Sequence, residues 1–419
     1  MNGWIVGAGR AAVVLSDACF PTAENYTGVH EEIAVRALYL ENGEKALIVT
    51  LEQTSILPQT LEVFREAAER QSGLDADRIW ITASHTFAVP HIWDDGGEQL
   101  KNEAERQRNT RMRQAFTDAV EQAVRSAVDS RRAAKVGFTE TFCGVNISRD
   151  LPTAEGYWLG CWERGLSDKT VAVLRFEDLA GELIAVFFNY GIQSSVMQDC
   201  SDADGRFLMS GDVAGAACRY LEQEYGVPAV FCVGACGDQG PCLQAVHFET
   251  DHLGVMREVR VDQNAGFAIA ELLGRRLGAA VSAGVEQVVC AEACRPMELA
   301  KVSFECPGQK ILPIPELHPT REYAYIPQGT TELAVEVISL GIVTLVGVKP
   351  EMTSYIALDL KARAPGKVIL CNMVNGAGKY LAHDSAYDQC RYEAMNSRYA
   401  KGSAAIFAEK TLTLLEAMQ

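Results

Sequence analysis

The sequence predicts an α/β protein with a layered, mixed β-sheet core and flanking helices. Short apolar runs rich in β-branched and aromatic residues recur along the chain, and amphipathic helical patterns lie between many of them. Strands that alternate with helices favour parallel pairing. The back-to-back apolar run LAVEVISLGIVTLVGV, residues 333–348, indicates two successive strands. Part of the sheet should therefore be antiparallel.

The individual elements follow from these patterns. Strands are predicted, in chain order, at KALIVTLE, DRIWITAS, KVGFTET, KTVAVLRF, LIAVFFNY, VPAVFCVGA, LAVEVISLGIVTLVGV and KVILCNM. Helices are predicted at about 61–71, 98–132, 212–225, 265–281, 351–361 and 404–418. In the longest of them Met112, Phe116, Val120 and Val124 recur on one face at helical spacing. That face should be buried against the sheet.

The stretch VGAGRAA, residues 6–12, has the G-x-G-x-x-A spacing of a dinucleotide-binding turn. That turn joins a strand to a long helix. Here only a few residues precede it, and the apolar run that follows is broken by Pro21. We therefore predict no nicotinamide or flavin site at this position.

Length and composition describe an ordinary globular protein. The chain has 419 residues, of which 48% are hydrophobic and 22% charged. It contains no run of the roughly 18 apolar residues that a membrane span requires, and its N-terminus shows no secretion signal, so we predict a cytoplasmic protein. We expect one catalytic domain over residues 1–419, with a possible sub-boundary in the proline-bearing segment 306–328.

The charge and the cysteines narrow the class of partner and site. A formal net charge of −17 repels nucleic acid and anionic membranes, so the expected partner is a small-molecule substrate. The thirteen cysteines show no disulfide framework and are expected to be buried thiols. A metal site from Cys232, Cys236 and Cys242, or from Cys290 and Cys294, is less expected because the spacings are not those of structural zinc sites.

Two of the seven histidines lie in one short stretch, ASHTFAVPHIWDD, residues 83–95, directly after a predicted strand. His85 and His91 are candidate metal ligands or hydrogen-bonded loop residues. Asp94 and Asp95 suit a solvated turn before two glycines, although a carboxylate in such a loop can also act as a metal ligand or general base. The residues alone leave these alternatives open.

Five segments, taken in order, resemble the neutral/alkaline ceramidase family and its ceramidase-like bacterial relatives. They are VGAGRAAVVL, GVHEEIAVRALYLENG, ASHTFAVP, the pair FFNYGIQSSVM and SGDVAGAACRYLEQEYGVPAVFCVGACGDQGP, and the pair VGVKPEMTSYIALDLK and NMVNGAGKYLAHDSAYDQCRYE. The resemblance covers most of the chain. It implies the ceramidase-like catalytic fold, and we expect it here without the additional C-terminal domain of true ceramidases.

The resemblance also implies a catalytic zinc. In that family two histidines, a glutamate and a tyrosine hold the metal; the matching positions here are His85, Gln193, Glu351 and Tyr380. Gln193 is a departure, since an amide oxygen is a poor zinc ligand beside imidazole. His91 or His383 are candidate substitutes, and Asp94 is another candidate for the catalytic or metal-binding set.

Further positions carry over with changes. Asn146 and Arg149 match a turn that faces the active site in relatives, so both are expected to bind substrate and Arg149 to assist catalysis. Phe87 stands where the family has a second loop histidine, and Gly240 stands where true ceramidases have a serine. The protein is therefore expected not to be a true ceramidase.

The leading hypothesis is a zinc-dependent hydrolase of a small polar amide or carbohydrate-derived substrate. A metal-independent enzyme, in which His85 and Glu351 serve as acid and base on a carbohydrate, is the first alternative. The loss of the second histidine favours it. A non-catalytic binding protein is the second alternative, although the retained His85, Glu351 and Tyr380 argue against it.

Overall fold

Two β-sheets pack face to face between layers of helices in the computed structural model, which describes residues 3–250, 252, 256–260 and 264–418. The strands are β1 (Trp4–Ala12), β2 (Tyr26–Val29), β3 (Ala34–Asn42), β4 (Glu44–Leu51), β5 (Ile79–Ala83), β6 (Arg132–Phe142), β7 (Asn146–Thr153), β8 (Gly156–Trp162), β9 (Thr170–Asp178), β10 (Leu183–Tyr190), β11 (Phe207–Met209), β12 (Ala229–Val233), β13 (Gln239–Pro241), β14 (Val246–Thr250), β15 (Met256–Arg260), β16 (Glu298–Gln309), β17 (Pro327–Ser339), β18 (Thr344–Val348), β19 (Glu351–Met352), β20 (Val368–Cys371) and β21 (Tyr380–Leu381). The helices are α1 (Pro58–Ser72), α2 (Glu103–Asp129), α3 (Asp212–Tyr225), α4 (Ala265–Gln287), α5 (Ser354–Arg363), α6 (Asp384–Asp388), α7 (Tyr392–Met395) and α8 (Ser403–Ala417).

The larger sheet is mixed, as the sequence predicts. Its strand order is β12-β10-β9-β6-β1-β3-β4-β5, with parallel pairs at the two ends and antiparallel pairs between them. The smaller sheet has the order β16-β17-β18-β20. The run at 333–348 forms the end of β17 and all of β18, which pair antiparallel. This confirms the expected antiparallel part of an α/β fold.

Apolar contacts define the layers. Helices α1 and α2 cover β1, β3, β4 and β5, and helices α3 and α4 cover β9, β10 and β12 on the same face. The opposite face forms a core with the smaller sheet, in which Trp80, Phe187 and Leu345 are buried. Helices α5 and α8 pack on the outer face of the smaller sheet. The order of layers is helices, sheet, sheet, helices.

The glycines of VGAGRAA serve helix packing. This stretch lies within the continuous strand β1, not in a strand-to-helix turn. A Cβ atom on Gly7 would lie 2.0 Å from the carbonyl oxygen of Ala127, and one on Gly9 would lie 2.0 Å from that of Ala123. Both carbonyls belong to α2. The two glycines therefore let this helix approach the centre of the sheet.

The larger sheet curls so that its two ends approach each other. Strand β12, at one end, contacts β3, β4 and β5 at the other. The segment after β20 forms hydrogen bonds with both ends of the sheet. The backbone amide of Asn372 donates to the Val233 carbonyl over 2.9 Å, and the backbone amide of Asn375 donates to the Ile81 carbonyl over 2.8 Å. Loops that follow strands distant in the sheet order thus meet in one place.

Some elements differ from the predicted ones. Helix α5 begins at Ser354, not at Glu351, because Glu351 and Met352 pair with Tyr380 and Leu381 as a short parallel ladder. Segment 306–328 comprises the end of β16, the connection over residues 310–326 and the start of β17, and the two strands pair along most of their length. None of the helices in the described part of the chain is long and apolar enough to cross a membrane.

Candidate functional site

A buried polar cluster lies where four loops meet. His85 follows β5, Gln193 follows β10, Cys236 follows β12 and Glu351 follows β18. The loops after β5 and β10 touch directly, since Thr86 forms a parallel bridge with Ser194. All four residues are at most 7% exposed. The curl of the sheet therefore assembles residues that are far apart in the sequence.

The orientation of the His85 ring is fixed by a backbone carbonyl. Its Nδ1 lies 2.7 Å from the carbonyl oxygen of Thr54, which can only accept a hydrogen bond, so Nδ1 carries the hydrogen and Nε2 of the neutral ring keeps its lone pair. Nε2 is buried, and no hydrogen-bond partner for it exists among the described residues. It lies 3.0 Å from Glu351 Oε2 without the alignment of a hydrogen bond. With His85 neutral, two electron-pair donors thus lie close together without an aligned hydrogen bond between them.

Gln193 links Glu351 to Arg149. Its amide nitrogen donates to Glu351 Oε2 over 2.6 Å, and its oxygen accepts from Arg149 Nη1 over 2.7 Å. The oxygen, which is the only atom of this amide that could bind a metal, is turned toward the guanidinium. The structure therefore brings Gln193 to the cluster as a hydrogen-bond bridge and not as the metal ligand that its position in the sequence suggests.

Cys236 joins His85 and Glu351 in a set with the geometry of metal ligands. One ligating atom from each of these three residues lies within 4.8 Å of the others, and Cys236 Sγ is 3.9 Å from Glu351 Oε2. The turn after β12 reaches Glu351 because of Gly237, where a Cβ atom would lie 3.2 Å from the Glu351 carbonyl oxygen. The sequence suggested Cys236 only as part of a less-expected metal site with Cys232 and Cys242, and it did not connect this cysteine with His85 and Glu351. The glycine-rich turn GACGD after a buried strand was the available signal.

Electrostatics couple the three groups. Burial lowers the pKa of His85, but the adjacent Glu351 carboxylate outweighs it and the net shift is upward. Burial raises the pKa of Glu351, but His85, Arg149 and the Gln193 amide together bring it below its usual value. Burial, followed by the charge of Glu351, raises the pKa of the Cys236 thiol well above its usual value. The charges of His85 and Glu351 therefore depend on each other, whereas burial and the charge of Glu351 favour the neutral thiol of Cys236.

Arg149 is held on several sides. Its Nε and Nη2 atoms donate to Glu393 Oε1 over 2.9 and 2.7 Å, and its guanidinium carbon lies 5.3 Å from the ring centroids of both Tyr380 and Tyr392. Glu393 is fully buried. The structure places Arg149 beside the cluster, as expected, but commits its guanidinium to protein partners rather than leaving it free for a substrate.

Tyr380 lies opposite Glu351 in the short parallel ladder of β19 and β21. Phe87, at the position of a family histidine, places its ring 4.7 Å from the His85 ring. Gly240 lies in β13 opposite Ile147, and the nearest atom to a Cβ there would be 3.9 Å away. A serine would fit at this position, but glycine offers no hydroxyl.

The remaining candidates are bound to other parts of the chain. His91 Nδ1 lies 2.7 Å from Glu24 Oε1, and His383 Nδ1 lies 2.9 Å from Thr353 Oγ1. The Asp94 carboxylate accepts a hydrogen bond over 3.1 Å from the backbone amide of Gln59, at the start of α1. The structure therefore gives His91, His383 and Asp94 local partners and does not bring them into the ligand set.

Two further predicted residues have structural partners. The Asn146 side-chain amide donates to the carbonyls of Asp168 and Gly191 over 2.9 and 2.6 Å, and its oxygen accepts from Tyr190 over 2.7 Å. Asp95 pairs with Arg113 at 2.8 Å. The Asn146 side chain thus links the segments that contain Asp168, Gly191 and Tyr190, and it has no hydrogen-bonding group left for a substrate.

Comparisons with known proteins show the fold. No model of a known protein family and no curated protein sequence matches this chain. Among solved structures, the neutral ceramidase from Pseudomonas aeruginosa is similar over 100% of this chain and 75% of its own, with a TM-score of 0.74 and 15% identity. A ceramidase complexed with C2 is similar over the same shares, with a TM-score of 0.73 and 15% identity. The chain therefore has a ceramidase-like fold, which is the fold its sequence motifs predict.

Proposed function

We propose that the protein is a metal-dependent hydrolase, with zinc as the metal, that acts on a small polar amide or carbohydrate-derived substrate. The observation that carries the proposal is the buried Nε2 of His85, which has no aligned hydrogen-bond partner among the described residues and lies 3.0 Å from Glu351 Oε2. A divalent cation placed against both atoms satisfies the two electron-pair donors at once.

The donor set suits a borderline-soft cation. Imidazole nitrogen and carboxylate oxygen are ordinary zinc ligands, and hydrogen bonding of the other ring nitrogen to a backbone carbonyl is a usual arrangement for a ligand histidine. The Thr54 carbonyl supplies that bond to His85. A bound zinc ion supplies Lewis acidity toward a carbonyl and lowers the pKa of a bound water.

The side chains around the cluster maintain its geometry. The Gln193 amide holds Glu351 Oε2, and Arg149 holds the Gln193 oxygen. Glu393 fixes Arg149 through two hydrogen bonds to one carboxylate oxygen. This chain of contacts keeps Glu351 ionised beside His85 and limits its movement, so the chain's own residues preorganise the site.

The polar surroundings favour a polar substrate over a lipid. Besides Arg149 and Glu393, two further acids lie close to the site: Asp150, paired with Arg391 at 2.7 Å, and Asp238, bonded to Ser354 at 2.8 Å. Burial raises the pKa of Asp238 to about 6. These groups are bonded to other residues of the chain, so they make the surroundings of the site polar without being free for a substrate. We infer that a polar substrate suits such surroundings better than an acyl chain.

Metal dependence of amide hydrolysis tests the proposal. The purified chain is assayed against an N-acetylated amino sugar, a short acyl amide and a long-chain N-acyl amide. We expect hydrolysis of a polar amide that disappears on chelation, returns with zinc and is absent in His85→Ala. Hydrolysis that persists unchanged after complete removal of metal contradicts the proposal.

One observation favours a second candidate, the metal-independent acid–base enzyme. His85 Nε2 and Glu351 Oε2 are close enough to share a proton, and the charge of Glu351 shifts the pKa of His85 upward after burial has lowered it. Such an enzyme would act on a carbohydrate by elimination or epimerisation. Turnover of a sugar substrate by the fully metal-free chain distinguishes it from the hydrolase.

A further inference from the structure

We propose that Cys236 is the third protein ligand of the metal, so that the site is a histidine–cysteine–glutamate centre selective for thiophilic cations. This inference rests on the proposed metal-dependent function and goes beyond it, because it changes the ligand chemistry and the metals that the site accepts. The family's second ligand histidine is replaced by Gln193 here. With Cys236 as a ligand, the site would still have three protein ligands.

The distances allow one ion to contact all three residues. Around a tetrahedral zinc with ligand bonds of about 2.0 to 2.3 Å, the ligand atoms lie roughly 3.3 to 3.8 Å from one another. The Sγ of Cys236 lies 3.9 Å from Glu351 Oε2. One ligand atom from each of the three residues lies within 4.8 Å of the ligand atoms of the other two. Side-chain adjustments of less than about 1 Å bring them to coordination distance, well within what rotamer changes supply.

The competing ligand is turned away. If the Gln193 amide were rotated to face the cation with its oxygen, that oxygen would stand 2.6 Å from Glu351 Oε2, and its nitrogen would face the Arg149 donor at 2.7 Å. Both contacts would be repulsive. The hydrogen-bond network therefore fixes the amide in the orientation that cannot bind a metal, and Cys236 is the neighbouring side chain that can.

Two features of the backbone position Cys236. The Gly237 amide donates to the Met352 carbonyl over 2.9 Å, which ties the turn after β12 to the strand that carries Glu351. The Asp238 carboxylate accepts from the amide and hydroxyl of Ser354, both over 2.8 Å. The turn is therefore bonded on both sides to the segment 351–354, which keeps the backbone of Cys236 beside Glu351.

A sulfur ligand has consequences for selectivity. Thiolate ligands favour zinc and other thiophilic ions, whereas magnesium, calcium and manganese prefer oxygen ligands. One thiolate and one carboxylate also neutralise the charge of a divalent cation in a buried site, which lowers the cost of burying that ion. The site should therefore bind zinc and cobalt tightly and magnesium weakly.

Cobalt spectroscopy on the full-length chain tests the ligand assignment. Cobalt(II) is added to the metal-free wild-type protein and to the variants Cys236→Ser and Cys294→Ser, the latter an exposed cysteine that serves as the matched control. We expect a thiolate-to-cobalt charge-transfer band in the near ultraviolet for wild type and Cys294→Ser. The Cys236→Ser variant should lack this band and should bind zinc at least 100-fold more weakly.

Each outcome decides a different point. Stoichiometric cobalt without the thiolate band in wild type overturns the role of Cys236 and leaves the metal-dependent function standing. A band that persists in Cys236→Ser also overturns it. If wild type binds neither cobalt nor zinc, both proposals fail together. Circular dichroism of Cys236→Ser verifies its fold, and Cys236→Asp, which retains a metal-binding side chain, should keep zinc binding but lack the thiolate band.

Discussion

At the scale of residues, the site depends on which atom each side chain presents. Nε2 of His85 is available to the cluster because Nδ1 is hydrogen-bonded to the Thr54 carbonyl. Gln193 directs its amide nitrogen to Glu351 because its oxygen accepts a hydrogen bond from Arg149. The sequence identifies His85, Glu351, Tyr380 and Gln193 as neighbours through family resemblance. It cannot reveal these orientations, because they depend on hydrogen-bond partners that come from distant segments.

The substitution Gln193→His should strengthen metal binding. An imidazole nitrogen in place of an amide that bonds to Arg149 and Glu351 supplies a stronger zinc donor, and we expect a gain in zinc affinity of roughly 10- to 100-fold. Competition with a chromophoric chelator measures the affinity. Gln193→Met, which removes the same two hydrogen bonds without adding a nitrogen, is the control, and equal affinities for the two variants would refute the prediction.

At the scale of elements, prediction succeeds where a segment's own pattern decides its structure. The runs LIAVFFNY and KVILCNM form the buried strands β10 and β20, and the apolar face of α2 with Phe116 and Val120 is buried as expected. The hairpin of β7 and β8 was not predicted, because most of its side chains are only partly buried and no apolar run marks it.

The start of α5 shows why element boundaries depend on context. The sequence suggests a helix from Glu351, since a carboxylate after Pro350 suits a helix N-terminus. The pairing of Glu351 with Tyr380 draws this residue into a strand instead, and the helix begins at Ser354. The proximity of Cys236 to His85 and Glu351 could not be predicted for the same reason: these residues come from other loops, and no local spacing indicates their contact.

The close approach of α2 to β1 predicts intolerance of a side chain at Gly9. A methyl group there would lie 2.0 Å from the Ala123 carbonyl oxygen, so Gly9→Ala must displace the helix. We expect a loss of about 1–3 kcal/mol in the free energy of unfolding, measured by urea titration. Gly3→Ala, where nothing lies within 4 Å of the added atom, is the matched control. Equal stabilities of the two variants would be inconsistent with this packing.

The ion pair between Asp168 and Lys361 should make the attachment of α5 depend on pH. The two side chains are 2.6 Å apart and mostly buried. Burial alone raises the pKa of Asp168, but the charge of Lys361 and its hydrogen bond bring it below the usual value of 3.8. A lowered folded-state pKa stabilises the fold above the unfolded-state pKa, and this contribution is lost as the pH falls through the folded-state value.

We therefore expect Asp168→Asn to destabilise the protein by about 1–2 kcal/mol at neutral pH. The difference in the free energy of unfolding between wild type and Asp168→Asn should become smaller below about pH 4. Urea titrations at a series of pH values measure it. Asp359→Asn, which breaks an exposed pair with Arg363 on the same helix, should cost less than about 0.5 kcal/mol. A pH-independent effect of the Asp168 substitution would show that its charge is not responsible.

At the scale of the whole molecule, the curled sheet assembles the cluster. Four strands that are separated in sequence end at one place, and an ion held by His85, Cys236 and Glu351 would link the segments after β5, β12 and β18. The resemblance in sequence motifs correctly indicated this ceramidase-like fold, whereas composition and periodicity alone gave only its α/β class. Segment periodicity contains no information about the curl that brings the strand ends together.

Zinc should therefore stabilise the entire fold. A ligand that binds only the native state increases the free energy of unfolding by about 2.7 kcal/mol when its free concentration is 100 times its Kd. We expect the midpoint of thermal unfolding to rise with zinc in the wild type and to stay constant in His85→Ala. An equal rise in both proteins would place the zinc elsewhere.

The metal content of the purified, untagged chain shows whether His85, Cys236 and Glu351 hold a metal ion. Elemental analysis compares wild type with His85→Ala, each prepared without chelator and then equilibrated with zinc at neutral pH. We expect close to one zinc ion per wild-type chain and a strong loss of zinc in the variant. A wild-type chain that binds no divalent metal, or a variant that retains as much as wild type, would contradict a metal centre at His85, Cys236 and Glu351.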